Sequence, residues 1–210
     1  MLDLAAGTGQ LSRLLGPFGM RLVAVEPASN MRAVLQDRLP SVPVVAARAG
    51  SLPFRDGVVG AIGVGNAFHH FDHDAAFAEL QRVLRRGGVV GLFWAWPLEE
   101  EHLAIPGMRE IFDAVEATRT DSAISAAYRA WAEPPRSVPG FGPFERREFP
   151  STHVLPAARL ADLYATSSDL ASLPSTVLNE LIARIRTIAA SFPATLRLPS
   201  RTVVDLCVRR

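Results

Sequence analysis

Three stretches of this chain carry residue types that could do chemistry. Asp3, in "MLDL", is a carboxylate inside an apolar run, and "AAGTGQ" brings Gly7 and Gly9 just behind it. Glycine at such a turn lets main chain come close to a ligand, and the helix that follows offers unpaired N–H groups at its start. Glu26 closes a second apolar run, "RLVAVEP". Further on, "NAFHHFDHD" crowds His69, His70 and His73 with Asp72 and Asp74.

The glycine turn could cradle a phosphate, but three details point elsewhere. Ser12 stands where a dinucleotide fingerprint has its third glycine. No Gly-Lys-Ser/Thr is present, so a P-loop is excluded. A carboxylate at Asp3 would repel a pyrophosphate and would suit an ammonium or sulfonium group. A carboxylate placed like Glu26, at the end of the second strand, accepts from ribose hydroxyls. The parts together describe a ligand with a ribose and a positive charge but no phosphate, and S-adenosylmethionine fits that description. The histidines do not read as a metal site. Adjacent histidines on one short loop rarely converge on an ion, and neither an i,i+4 His pair nor cysteine ligands support one. His69 reads in two ways, as a proton acceptor facing a substrate atom or as a loop-packing residue. His70 and His73 are expected to be exposed.

These residues need elements to hold them, and the first half alternates. "MLDL", "RLVAVEP", "VPVVAAR", "VVGAIGVGNAF" and "VVGLFWAW" read as strands. Between them, "GQLSRLLGPFG" has Leu11, Leu14 and Leu15 at helical spacing, and Gly16-Pro17 stops it. Ser29 can cap a helix whose Met31, Val34, Leu35 and Arg38 share a face. "HDAAFAELQRVLRRGG" predicts an amphipathic helix with Phe77, Leu80 and Leu84 inward and Gly87 as its stop. The glycines of the fourth strand suggest that something approaches it closely. Such alternation means a parallel sheet with helices on both faces, and a ligand site at the carboxyl ends of the strands. The second half differs. Residues from Pro97 to about Pro135 read as helices with loops, "FERREF" as a strand, "PSTVLNELIARIRTIAASF" as a strongly periodic helix, and "LPSRTVVDLCVRR" as a final strand. The expected organisation is a single domain over 1–210, with a cofactor-binding half (1–96) and a substrate-side half (97–210).

The bulk numbers limit the partners. With 210 residues, 49% hydrophobic and 20% charged, the chain can bury a substantial core. A net charge of +1 makes nucleic acid no default partner. One cysteine, Cys207, excludes an internal disulfide and reads as a small buried hydrophobe. No signal-peptide pattern opens the chain and no apolar run approaches spanning length, which predicts a cytoplasmic protein without membrane partners. Arg109, Arg129, Arg136 and Arg146 could meet an acidic substrate, although solvated arginines are commoner. Trp94 reads as core, and Trp96 as a wall of the acceptor site.

In order and spacing, "LDLAAGTGQLSRLL", "VAVEPASNMRAVL", "GSLPFRDGVVGAIGVGNAFHHFD" and "FAELQRVLRRGGVVGLFW" resemble the class I S-adenosylmethionine-dependent methyltransferases of the small-molecule type 11, UbiE-like kind. That resemblance implies a Rossmann-like α/β fold: a mostly parallel seven-stranded sheet with an antiparallel last strand, helices on both faces and a helical insertion after the fifth strand. It implies S-adenosyl-L-methionine as cofactor and in-line methyl transfer to a small-molecule acceptor. Asp3 would orient the loop or the methionine amino group; Ala5, Gly7 and Gly9 would line the cofactor; Glu26 would grip the ribose and Met31 would lie against adenine or ribose. The backbone of Gly50, Ser51 and Leu52 would meet the adenine edge, Asn66 and Phe68 would face the methionine part and the methyl group, and His69 is the candidate catalytic residue. No metal is implied. Three positions depart from the family pattern. Gly50 stands where an acidic residue often accepts from the adenine amino group, Gly60 where aspartate is usual, and His70 where tryptophan is usual. Relatives also carry helices before the first strand, so the chain reads as a fragment ahead of a genuine short form, and as printed it is expected to bind cofactor weakly. The alternatives are a non-catalytic nucleoside-binding protein of the same fold and, behind it, an NAD-dependent oxidoreductase.

Overall fold

The computed structural model describes residues 1–118, 138–166, 170 and 173–210. Seven strands form one sheet in the order β3-β2-β1-β4-β5-β7-β6. They are β1 (Leu2–Leu4), β2 (Val23–Val25), β3 (Val44–Val45), β4 (Val59–Gly65), β5 (Leu84–Pro97), β6 (Glu145–Pro156) and β7 (Thr195–Val208). The pairs β1–β2, β1–β4, β2–β3 and β4–β5 are parallel. β7 runs against β5. Its end meets the start of β5 through Gly87 N–H to Arg209 O and Arg209 N–H to Gly88 O, whereas Pro199, near its start, accepts from Leu98 just beyond β5. The mostly parallel sheet with a reversed last strand is therefore present as expected.

The chain lays β2 and β3 to one side of β1 and then crosses to β4 and β5 on the other. Right-handed crossovers in opposite directions put the connecting helices on opposite faces. The helices α1 (Gln10–Leu15) and α2 (Ser29–Arg38) serve the first side, and α3 (His73–Val83) the second. The reversal falls between β1 and β4, so their carboxyl ends form the crevice where such sheets take ligands.

Several sequence expectations are corrected in detail. α1 buries Ser12, turns Leu11 and Leu15 partly inward and leaves Leu14 58% exposed. In α2 only Leu35 of the predicted face is buried, with Met31 and Val34 exposed. Ser29 is the first helical residue and Ala28 occupies the cap position without a side-chain bond. α3 ends at Val83, not Gly87: Leu84 takes extended backbone and opens β5. The next four residues bulge before Val89 pairs with Ala61. Gly88 must be glycine there, since a Cβ would lie 2.8 Å from the Arg85 carbonyl oxygen. The close approach expected at the glycines of β4 is made at Gly63 and Gly65 by the first helix. Cβ atoms at Gly63 and Gly65 would sit 3.2 and 3.3 Å from Leu11 of α1.

The chain divides into two compact units. The first comprises 1–94 with 138–148 and 203–210 of the described residues. Its core includes Leu2, Leu4, Ile62, Val64, Leu80, Val90, Leu92 and Trp94, and Arg146 forms a two-pronged pair with the fully buried Asp205 (2.8 and 2.9 Å). The second holds α4 (Glu99–Leu103), α5 (Met108–Glu116), α6 (Leu160–Ala165) and α7 (Ser175–Ala189). There Met108 and Ile111 of α5, Leu160 of α6 and Leu181, Ile182 and Ile185 of α7 form a separate apolar core. The strongly periodic helix predicted near the end of the chain is α7. No helix among the described residues is long and apolar enough to cross a membrane.

Candidate functional site

The site is built from the ends of β1, β2 and β4. Asp3 lies mid-β1, opposite Ala24 of β2 and Gly63 of β4. It is fully buried. Its Oδ2 accepts from Ser12 Oγ at 2.5 Å, and its Oδ1 has no hydrogen-bond partner among the described residues. Ser12, which displaced the third glycine of a dinucleotide fingerprint, thus orients the carboxylate. Burial pushes the Asp3 carboxyl above its usual range; the bond from Ser12 opposes this, and the nearby Glu26 adds to it. A buried acceptor with one oxygen unsatisfied is costly unless something cationic completes it.

Glu26, 5% exposed, joins two loops. One carboxylate oxygen accepts from Gly7 N–H at 2.9 Å and the other from Ala28 N–H at 2.8 Å. Each bond uses one of about four lone-pair sites on a carboxylate, which leaves capacity for hydroxyl donors. Arg32 caps the same corner by donating to the carbonyls of Glu26 and Pro27. The glycine turn is tight. Gly7 has φ +56° and Gly9 φ +86°. The open side of Gly7 faces the sulfur of the exposed Met31, 3.8 Å from where a Cβ would stand. Gly9 differs from its expected role. Its missing Cβ makes room for Leu35 and Leu39, each 3.0 Å away, so it serves the seating of α2 more than a ligand.

Among the described residues, two non-glycine residues take left-handed backbone, Ala5 (φ 55°) and Asn66 (φ 54°). They follow β1 and β4, the strands that flank the reversal. Such conformations cost energy and concentrate at functional sites. Asn66 is exposed, and its N–H donates to Phe93 O at 2.7 Å. Phe68 does not face the crevice. It is 1% exposed and packs 5.2 Å from Phe71, His73 and Phe77, because the turn Phe68–His70 sends its ring under the start of α3. His69 is 7% exposed, 6.0 Å from Trp94 and 3.9 Å from His70 between ring centroids. His70 is exposed, but His73 is only half so: its ring stacks on Phe68 and its Nε2 lies 3.2 Å from Phe68 O.

The stretch 46–58, between β3 and β4, holds Gly50, Ser51 and Leu52. Gly50 and Ser51 are exposed, and Leu52 is buried. The Leu52 backbone is turned away from the rim: its N–H donates to Glu79 and its C=O accepts from Arg82. Leu52 thus anchors the loop, and the part open to a ligand is Gly50 and Ser51. A Cβ at Gly50 would meet Ala75 Cβ at 3.3 Å, a packing reason for the lost acidic residue. At Gly60 a Cβ would meet the Arg85 guanidinium at an ordinary 3.5 Å. The arginines read as possible anion contacts divide: Arg146 is committed to Asp205, Arg109 is exposed, and Arg129 and Arg136 lie outside the described residues, as does the Trp96 side chain.

Comparison with known proteins decides among the readings. Residues 2–92 match the family model described as methyltransferase domain. An uncharacterized methyltransferase of Mycobacterium tuberculosis is 33% identical over 214 residues, spanning 100% of this chain and 82% of that protein. An uncharacterized methyltransferase-like protein of Schizosaccharomyces pombe is 27% identical across 99% of this chain and 78% of its own length. The chain belongs to the class I S-adenosylmethionine-dependent methyltransferase family. A solved structure of a candidate type II methyltransferase from Anaeromyxobacter dehalogenans shares the fold, with TM-score 0.65 and 21% identity over 99% of this chain and 88% of that one. The strand order 3-2-1-4-5-7-6 with a reversed seventh strand is thus the family's architecture carried by this sequence. The residues present fit the family's cofactor. The unsatisfied Asp3 oxygen suits a cation, the shared Glu26 carboxylate suits a diol, and the Gly7 turn leaves room for a ligand beside Met31.

Proposed function

We propose that this methyltransferase binds S-adenosyl-L-methionine at the β1–β2–β4 strand ends and transfers its methyl group in line to a small-molecule acceptor. The observation that carries the reading is the Glu26 carboxylate, buried where the first two strand-end loops meet and bonded to both. A carboxylate so held is rigid, and its remaining lone pairs are pre-aimed acceptors for a ribose diol. Asp3 supports the methionine end, since an ammonium brought near Oδ1 would relieve its buried charge. Ala5 and Gly7 supply main chain along the ligand, Gly9 seats α2 behind them, and Met31 covers the ribose or adenine side. Gly50 and Ser51 face the nucleobase, with Leu52 as their buried anchor. Asn66 stands beside the methionine part, and Phe68 braces that corner from below.

The cofactor, when bound, supplies a methyl group already activated by a positive sulfur. The protein's part is positioning and exclusion of water. Asp3 and Glu26 fix the two ends of the ligand, and the strained backbone at Ala5 and Asn66 is pre-set by neighbouring strands, so little order remains to be imposed on binding. His69, held against Trp94, accepts a proton at a ring nitrogen where the acceptor carries one. Isothermal calorimetry with S-adenosylhomocysteine tests the reading. Binding by the native protein, weakened about tenfold or more in Glu26→Gln, is the expected result. Equal affinity in the variant, or tighter binding of NAD by the native protein, would refute it.

A further inference from the structure

The nucleobase-side loop is held by one arginine. The stretch 46–58 forms neither strand nor helix; within it only an isolated bridge between Arg48 and Ser51 is regular. Its carbonyls therefore need other donors. Arg82, on the flank of α3, supplies them. Its Nη2 donates to Leu52 O at 2.9 Å, and its Nη1 to Phe54 O at 2.8 Å and Asp56 Oδ1 at 2.7 Å. Glu79, one turn earlier, takes Nε and Nη2 at 2.8 and 2.6 Å and also accepts from Leu52 N–H at 2.6 Å. The Arg82 main chain adds one bond more, its carbonyl accepting from Gly57 N–H at 2.9 Å. Leu52 is thus gripped at both backbone groups, and Gly50 and Ser51 project from that grip beside Ala75. Only a planar fork with donors on three nitrogens can serve these acceptors at once; an ammonium cannot. Glu79 stays ionised for the task, because its bonds with Arg82 hold its carboxyl below the usual range.

We infer that Arg82, aligned by Glu79, is a positioning residue that sets the nucleobase-side loop and so determines how well the site distinguishes an adenine from other bases. The inference rests on the cofactor site proposed above. Where no acidic side chain stands at Gly50, base recognition falls to main chain, and main chain discriminates only if it is held still. Arg82 touches no ligand itself; it acts through Leu52.

The test compares S-adenosylhomocysteine with S-inosylhomocysteine, which carries an oxygen in place of the 6-amino group, by calorimetry on the native protein, Arg82→Met, Arg82→Lys and Glu79→Gln. Native protein should prefer the adenine ligand. Arg82→Met should weaken it by about tenfold or more and bring the ratio of the two affinities toward one, and Arg82→Lys should not restore it. Glu79→Gln keeps an oxygen for Leu52 N–H and should shift the ratio less, which provides a reading if Arg82→Met does not fold. Failure of the native protein to bind either ligand would overturn the cofactor site. A native site with folded Arg82 variants that keep the native ratio, whether both affinities fall together or neither falls, would overturn the positioning role alone.

Discussion

At the scale of single residues, the site combines groups that are expensive to fold with groups that are expensive to replace. Asp3 is the clearest case. Burial raises its carboxyl, so an ionised Asp3 opposes folding of the unliganded protein. The sign follows: the favourable protonated form is fully present below the ordinary carboxylate range, and that stability is lost as pH rises through Asp3's raised value. A cationic ligand needs the ionised form, so affinity should fall as pH drops into the acid range. Asp3→Asn keeps an acceptor for Ser12 without the charge. Thermal melts at pH 7 should show Tm higher by a few degrees, and calorimetry should show S-adenosylhomocysteine binding weaker by about tenfold and flatter with pH. Gly9 is expensive for another reason. Gly9→Ala must adopt φ +86° and press within 3.0 Å of Leu35 and Leu39, and a denaturant titration should show a loss of about 1–3 kcal/mol.

At the scale of elements, α3 carries more of the site than its distance from the glycine turn suggests. Its flank bolts the loop 50–56 through Glu79 and Arg82, and its first turn supports the Phe68–His70 turn through His73 and the Phe77 ring. Asp72 caps it, accepting from Ala75 N–H at 3.1 Å. Asp72→Ala should cost about 1 kcal/mol in a chemical melt. The fourth strand shows the converse economy: by omitting side chains at Gly63 and Gly65 it lets Leu11 bring α1 close to the sheet. That packing sets Ser12 against Asp3.

At the scale of the whole chain, the two units have separate apolar cores. The second is centred on Ile185 of α7, fully buried among Met108, Ile111, Leu160 and Leu181. Ile185→Ala should destabilise by about 2–5 kcal/mol, read as a lowered denaturant midpoint. In the first unit Cys207 is 1% exposed and burial pushes its thiol up to about 12. Iodoacetamide at pH 8 should therefore leave it unmodified until the protein is denatured, as followed by mass spectrometry.

Strand–helix alternation, the glycine turn and the two acids, Asp3 within the first strand and Glu26 closing the second, were legible in the sequence, because each is a local pattern whose period or chemistry is written over a few neighbouring residues. So was the family, since four such patterns stand in order. The sequence could not say which way a side chain turns where two elements meet. Phe68 reads as a pocket residue by position, yet a short helical turn sends its ring into the core; Leu52 reads as a ligand contact, yet α3 claims its backbone; Gly9 reads as lining a ligand, yet its clearance is taken by Leu35 and Leu39. Arg146 reads as a free cation, yet it is spent on Asp205, fifty-nine residues away. These are facts of packing between segments distant in the chain, and only the tertiary structure decides which neighbour fills a space that several could fill.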